Sequence, residues 1–506
     1  MIPSNKQQAI YDAWTTTDEN IVIKAVAGSG KTSTLLGILE RSQYKTLFLA
    51  FNKSIQEDIQ AKIEAKGFKH GKALTVHALG LKAVIAHYGQ KNVTVNTNKS
   101  WQILKDLERF NRRIFKSLIW EDKAKINMTI IEMNDISRLF MTNDVKEIFK
   151  AMSEMDKYFF DHPQLSELWT EFISLREERY NGKVEVDFID MIFLPVREQM
   201  RIPIDPYYLL VDECQDLNIA QHQFISLLVG QGDIKKMIAV GDRNQSIYGF
   251  SGASGNSFDM FIEKPNTVEL PLSICYRCPQ LIIDEANAVY DVMEGFKEEA
   301  GIVGRLSFID DIQGGSMIIC RNTSPLIILY FQLLAQKRKV YLKGEDILNS
   351  LTKFLKPYNY KSVSETKRKL TSELLQLDKV KDKSDEQRFK YYRMKQNLAN
   401  FTLLVENIVI GDDKVEVMLQ SLNSMFHEIP DEEAITLCTI HKSKGLEADI
   451  VYILNEFLIP SKFAKSPMQL EQERNLKYVA RTRAKKELYY LNLRDTVDEE
   501  DVNLIP

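Results

Sequence analysis

The chain has 506 residues, 44% of them hydrophobic and 27% charged, enough to bury several cores, and the usual domain size points to two to four domains. A formal net charge of −4 excludes a basic nucleic-acid-binding composition, so any nucleic-acid site has to be a local groove. The five cysteines (Cys214, Cys275, Cys278, Cys320, Cys438) are odd in number and scattered, which excludes a disulfide framework, and the one CxxC pair lacks a second pair to complete a zinc site.

The opening MIPSNKQQAIYDAW lacks a basic segment followed by an apolar one, and no apolar run is long enough to cross a bilayer. The expectation is a cytoplasmic protein, nuclear if eukaryotic, with no membrane contact. From there, short apolar runs alternate with helical patterns: IVIKAV precedes a helix from Lys31, and KTLFLA precedes one through Ile55 and Ile59. Such alternation predicts a parallel α/β domain. It resumes at YYLLVDE near residue 210 and KKMIAVGD near residue 238, while the stretch between, residues 92–185, is charged and helical in spacing. The same layout returns further on. SMIIC, KVYLKG, AITLCTIH, DIVYILN and ELYYLNL read as strands of a second α/β domain, interrupted over residues 346–430 by a mainly helical stretch. The expected class is therefore α/β, two parallel-sheet domains each carrying a mainly helical insertion. The boundaries are 1–91 with 186–275, insertion 92–185, then 276–345 with 431–506, insertion 346–430.

Ala25-Val-Ala-Gly-Ser-Gly-Lys-Thr32 follows an apolar strand and opens a helix, as a phosphate-binding loop does. The residues expected to cradle nucleotide are Ala27, Gly28, Ser29, Gly30, Lys31 and Thr32. Backbone N–H groups approach the phosphates, Lys31 reaches the outer ones, and Thr32 offers a hydroxyl to Mg²⁺. Ala25 stands where the general pattern has glycine. Downstream, Leu209-Leu-Val-Asp-Glu-Cys-Gln-Asp216 brings two adjacent carboxylates to a strand end. Asp212 suits Mg²⁺, and Glu213 suits orienting and deprotonating an attacking water. Together the two motifs define an NTP-hydrolysing site. Gly241-Asp-Arg-Asn-Gln-Ser-Ile-Tyr-Gly-Phe250 then sets an amide, Gln245, and two aromatics, Tyr248 and Phe250, on one loop; the aromatics read either as core or as base-stacking groups.

With that loop the chain resembles the UvrD/Rep/PcrA branch of superfamily 1A DNA helicases, in which the Gln senses the γ-phosphate while the aromatics stack on bases. Later segments keep the order of that family. Leu-Pro-Leu-Ser-Ile-Cys-Tyr-Arg277 is similar to motif IV, which gives Tyr276 to adenine and Arg277 to the γ-phosphate. Thr439-Ile-His-Lys-Ser-Lys-Gly-Leu-Glu447 is similar to motif V, which gives Thr439 and His441 to nucleic acid and Glu447 to the ribose. Gln472-Glu-Arg-Asn-Leu-Lys-Tyr-Val-Ala-Arg-Thr-Arg-Ala484 is similar to motif VI, with Arg483 as a second arginine finger. Ala50-Phe-Asn-Lys53 and Thr75-Val-His77 resemble motifs Ia and Ib, which assigns Phe51, Asn52, Thr75 and His77 to nucleic acid. Phe51 as core and His77 as a structural histidine are the other readings. Gln7 or Gln8 matches the adenine-reading Q-motif, with Gln7 the slightly favoured register.

The resemblance runs from residue 7 to residue 484 and implies two RecA-like units. It implies ATP and Mg²⁺ as cofactors, single-stranded DNA and single-strand/duplex junctions as partners, and 3′-to-5′ movement. Ser33, Ser251 and Cys275 depart from the family's usual residues, and the second insertion is short. Other readings are a translocase that unwinds little, an ATPase module serving a nuclease, replication or defence complex, and a nucleotide-gated binding protein. The spelling Ala-Phe-Asn-Lys-Ser also resembles the F-box helicase subgroup.

Overall fold

The computed structural model describes residues 2–343 (except 119, 156, 158, 205, 233, 250, 251 and 253–255), 355, 362–379, 391, 394, 395, 398, 399, 401, 402, 405, 414–426 and 431–493. Most of the stretch expected as the second insertion, and Phe250 and Ser251 with it, lie outside the described residues. Two compact units emerge, one of Met1–Cys275 with Ser466–Gln472, the other of Tyr276–Lys465 with Glu473–Pro506. Among the described residues no helix is long and apolar enough to cross a membrane.

In the first unit β1 (Asn20–Ala25), β2 (Thr46–Ala50), β3 (Gly71–Thr75), β6 (Tyr208–Val211), β7 (Lys236–Gly241) and β8 (Thr267–Leu272) form one sheet in the order β3-β2-β6-β7-β1-β8. Every pairing in it is parallel. The alternation of side chains decides both faces. Ile21, Ile23, Phe48, Leu210, Ile238 and Val240 point to one core with helices α1 (Asn5–Thr16), α2 (Lys31–Arg41) and α3 (Lys53–Ala65). Val22, Leu47, Leu49, Leu209, Val211, Met237 and Ala239 point to the other, with α4 (Val76–Tyr88) and α11 (Ile219–Gly230). Because both faces are covered, the inner strands read in the sequence as near-continuous apolar runs.

Between β3 and β6 the chain leaves the sheet. Two short strands, β4 (Val93–Val95) and β5 (Val184–Val186), pair in parallel and bracket helices α5 (Lys99–Phe110), α6 (Arg112–Ser117), α7 (Trp120–Leu139), α8 (Val145–Glu154) and α9 (Leu165–Glu178). These helices own a separate core that includes Ile103, Leu107, Ile130, Met133, Trp169 and Phe172. The return to the sheet runs through α10 (Asp190–Arg197), which packs on α4.

The second unit has a six-stranded sheet of its own, in the order Ile302–Leu306, Ala484–Leu491, Ala448–Leu454, Met317–Cys320, Ile435–Thr439, Val340–Leu342, again parallel throughout. Its core gathers Ile318, Cys320, Leu437, Tyr452 and Leu454 with Leu326, Leu329, Tyr330 and Leu333 of the helix Thr323–Ala335. Two parallel sheets of six strands with helices packed on them bear out the expected α/β class. Two edge strands, Thr267–Leu272 and Ile302–Leu306, carry no apolar run and were not foreseen; their side chains are mostly half-buried or exposed, and Pro271 is tolerated at an edge.

The contact of α4 with α10 depends on a missing side chain. A Cβ at Gly80 would run into the carbonyl oxygen of Met191. Glycine in mid-helix costs roughly 0.5–1 kcal/mol against alanine, so its place here is explained by the close approach. Gly80→Ala is expected to lower stability by about 1–3 kcal/mol in urea unfolding. Equal or higher stability would show that the two helices part without penalty.

Candidate active site and nucleic-acid interface

All the strands of the first sheet run the same way, so the loops bearing the motifs leave from one edge, where α/β sheets bind ligands. The order β6-β7-β1 sets the carboxylate loop, the amide loop and the glycine loop side by side. After β1 the chain turns at Gly28 and Gly30, whose φ angles of 67° and 80° suit glycine. Gly30 is the N-cap of α2 and has no side chain to occupy the first-turn N–H groups. Those groups, with the helix dipole, face the loop as an anion site. Ser29 ties the turn by donating to the Val26 carbonyl at 2.8 Å, and Ala27 is buried.

Gln7 reaches this loop and Gln8 does not. Gln7 Nε2 donates to Thr34 Oγ1 at 3.1 Å, its Oε1 accepts from the Ser4 N–H, and it lies 3.7 Å from where a Gly30 Cβ would sit. Gln8 instead bonds Asp12 on the exposed face of α1.

Lys31 Nζ lies 3.1 Å from Glu213. Burial works against the Lys31 charge, but Glu213, Asp242 and Asp212 outweigh it and raise the pKa above the ordinary lysine value. The carboxylates shift the same way, which for them favours the neutral form: burial, then the neighbouring Glu213, pushes Asp212 up to about 7. Asp242 is raised as well, again by burial, in spite of Lys31 and the amide of Gln245. Glu213 sits in the left-handed region at φ 49°, unusual for a residue with a side chain.

A line of hydrogen bonds leads from this charge cluster to the amide loop. Gln215 Nε2 donates to Glu213 at 2.6 Å, Gln215 Oε1 accepts from the Asp242 N–H at 3.1 Å, and Asp242 accepts from Gln245 Nε2 at 2.7 Å. The Gln215 carbonyl also accepts from Ser246 Oγ at 3.2 Å. A Cβ at Gly241 would collide with Gln215 Oε1 and crowd Cys214 Sγ, so β7 approaches this closely only with glycine there. Gln215 and Asp242 lie within the motifs, and the signal for a role is that Asp242 directly follows β7 and Gln215 stands in the loop after β6.

Three residues past Gln245, Tyr248 stacks on Phe51 with ring centroids 6.0 Å apart and planes 11° from parallel. The His77 ring stacks on Phe188, centroids 3.6 Å apart. Phe188 is 60% exposed and was missed in the sequence, where one phenylalanine in VEVDFIDM carries no pattern. Asn52 and Thr75 are N-caps: Asn52 Oδ1 accepts from the Ile55 N–H and Thr75 Oγ1 from the Ala78 N–H. Thr32 stands in the first turn of α2.

In the second unit the segments of motifs IV, V and VI meet. Arg277 Nε donates to Glu447 at 2.7 Å and its Nη1 to the Thr482 carbonyl at 3.1 Å. Arg483 donates to the carbonyls of Val479, Ser443 and Leu446 and to Thr482 Oγ1. Its guanidinium is thus held by its own unit, and contact with a phosphate requires exchanging some of these bonds. Tyr276 rests against Phe296, centroids 4.6 Å apart. Thr439 caps the turn Ile440–Ser443, and His441 is pushed down to about 3 by burial, then by Arg321 and Lys444. Among the described residues no group of three or more His, Cys, Asp or Glu side chains could hold a metal, and all five cysteines are buried with none in a disulfide.

Comparison with known proteins matches two family models, the UvrD/REP helicase N-terminal domain over residues 4–266 and the UvrD-like helicase C-terminal domain over residues 434–491. The F-box DNA helicase protein 1 of Schizosaccharomyces pombe is 23% identical over 98% of this chain and 57% of its own length. DNA helicase II of Salmonella typhimurium is 25% identical over 58% of this chain and 41% of its own. The ATP-dependent DNA helicase PcrA of Leuconostoc citreum is 28% identical over 56% of this chain and 38% of its own. The chain therefore spans 38–57% of the lengths of these relatives.

Burial pushes His77 from the ordinary 6.5 down to about 4. The folded state holds the ring neutral, so its contribution to stability is whole above pH 6.5 and is lost as the pH falls towards 4. The ring resonances, followed by NMR, are expected to titrate near 4. A midpoint near 6.5 would mean that the stack with Phe188 is open to water.

Proposed function

The chain belongs to the UvrD/Rep helicase family, and from that premise we propose that it is an ATP-dependent motor on single-stranded DNA, moving 3′-to-5′ and able to separate strands at a junction. The observation that carries this reading is the continuous line Lys31–Glu213–Gln215–Asp242–Gln245, which ends three residues from the Tyr248–Phe51 stack. A change in charge at Lys31 and Glu213 alters the hydrogen bonds that hold the amide loop, and the amide loop carries an aromatic for the bases. Chemistry and grip then share one mechanical element.

ATP and Mg²⁺ fit the residues present. The glycine turn leaves backbone donors for phosphates, while the carboxylates around one lysine form a pocket whose charge a divalent cation balances. Thr32 and Asp212 are the residues proposed to hold Mg²⁺, which when bound polarises the phosphoryl oxygens. Glu213 orients and deprotonates the attacking water, Lys31 meets the outer phosphates, Gln245 senses the γ-phosphate, and Gln7 reads the adenine. Tyr276 is assigned to the base, Glu447 to the ribose, and Arg277 and Arg483 to the γ-phosphate, where an arginine can be worth about 10³–10⁵ in rate. Phe51 with Tyr248 and His77 with Phe188 supply two aromatic pairs for stacking, a sequence-independent grip suited to a motor. Asn52, Thr75, Thr439 and His441 border the strand ends that face the nucleic acid.

Steady-state ATP hydrolysis, measured with and without single-stranded DNA, is expected to show strong stimulation that Glu213→Gln abolishes. Gln7→Ala is expected to raise the KM for ATP, and Gln8→Ala to leave it unchanged. Tailed duplexes then read direction: unwinding only from 5′ tails would refute the proposed polarity. Hydrolysis that neither DNA nor RNA stimulates would overturn the free-standing motor and favour an ATPase module completed by a protein partner.

A further inference from the structure

Outside the nucleotide site, the most heavily charged interior of the first unit lies where the helical insertion meets the sheet. Arg138 Nη1, on α7, donates to both carboxylate oxygens of Asp187 at 2.7 and 2.6 Å and to Asp190 at 2.8 Å. Lys99 of α5 also bonds Asp190 and donates to the Tyr180 hydroxyl, which in turn donates to Asp190 at 2.7 Å. The Lys99, Arg138 and Asp190 side chains are fully buried. Charges so enclosed forfeit much hydration, and replacing such a group with apolar residues is often neutral or stabilising, so net stability is a poor account of their presence. Nη2 of the same guanidinium donates to Asp135 at 2.8 Å and Nε to the Asn134 carbonyl at 3.1 Å, and a planar group held in three directions supplies fixed geometry.

The geometry fixed is that of one turn. The Asp187 N–H donates to Asp190 Oδ2 at 2.8 Å and the Asp190 N–H to Asp187 Oδ1 at 3.0 Å, so the two aspartates cap each other across residues 188 and 189. Phe188 stands inside that turn, exposed and stacked on His77. Residues from α5, α7 and the end of α9 therefore clamp a turn whose only outward-facing large apolar group is a ring at the proposed nucleic-acid face.

We propose that the buried Lys99–Arg138–Asp187–Asp190 network is a positioning device: it holds Phe188 flat against His77 as a base-stacking ledge, so that the helical insertion sets the DNA grip of the sheet to which it is attached. The inference rests on the motor reading above for its ligand. Arg138 and Asp187 are positioning residues, acting through Phe188 and touching no nucleic acid.

The test is a double-mutant cycle on the full chain. Arg138→Lys keeps the charge and loses the Nε and Nη2 donors that seat the guanidinium on the Asn134 carbonyl and Asp135, and binding is read by fluorescence anisotropy of a labelled oligo(dT). Arg138→Lys is expected to weaken binding about tenfold, within the range of one lost base stack. In a Phe188→Ala background it should change binding less than about twofold, because coupled residues are not additive. Arg179→Ala, which breaks the partly exposed Arg179–Asp106 pair of the same insertion, serves as the control for general loosening and should leave binding unchanged. Equal losses in both backgrounds, or no loss in either, would overturn the proposal. A DNA-free readout separates it from the motor reading: the ring-current shift that Phe188 imposes on the His77 ring protons should collapse in Arg138→Lys. If the unmodified protein binds no oligo(dT), the motor reading fails, and the positioning role stands or falls on that shift alone.

Discussion

One lysine faces three enclosed carboxylates at the head of the first sheet, and the architecture around it follows from keeping them there. Lys31, Asp212, Glu213 and Asp242 come from loops after β1, β6 and β7, which only the order β6-β7-β1 makes neighbours. In water such charges would be screened and hydrated. Here burial withholds that relief, and Asp212 is driven up to about 7 while Lys31 is held more firmly charged.

The polar groups of the motifs, each within its own unit, also have structural duties. Gln215 bridges Glu213 to the backbone of Asp242, and the glycine at 241 leaves it room. Asn52, Thr75 and Thr439 each cap the helix that follows their strand. A cap is worth about 1 kcal/mol, so part of the effect of substituting any of these residues is local stability and not a lost ligand contact. Arg277 and Arg483 show the same economy, one paired with Glu447 and the other bonded to three carbonyls within its own unit. Residues proposed to sense a phosphate are thereby kept satisfied by internal partners.

The helical insertion is joined to the sheet by charge as well as by apolar packing. Its own core is complete around Trp169 and Phe172, and its junction with α10 is where Arg138 and Lys99 are enclosed. Apolar surfaces can slide with modest penalty, whereas a planar guanidinium bonded through all three of its nitrogens has a defined seat.

By itself the sequence determined the two α/β halves, because inner strands of a parallel sheet are buried on both faces and read as near-continuous apolar runs such as LFLA, or IVIKAV with its one exposed residue Lys24. It also determined the glycine loop and the carboxylate pair, since both are local: their chemistry lies within eight consecutive residues. The edge strands Thr267–Leu272 and Ile302–Leu306 escaped it, since a half-exposed strand has no apolar run to see. Tertiary structure alone brought the side chain of Gln7 onto the glycine loop, joined Gln215 to Asp242, set Phe188 on His77 and turned Arg483 onto its own carbonyls. Each of these is a contact between segments distant in the chain, or a choice of face by one turn of a helix, and such choices are fixed by packing and leave no periodic trace in the order of residues.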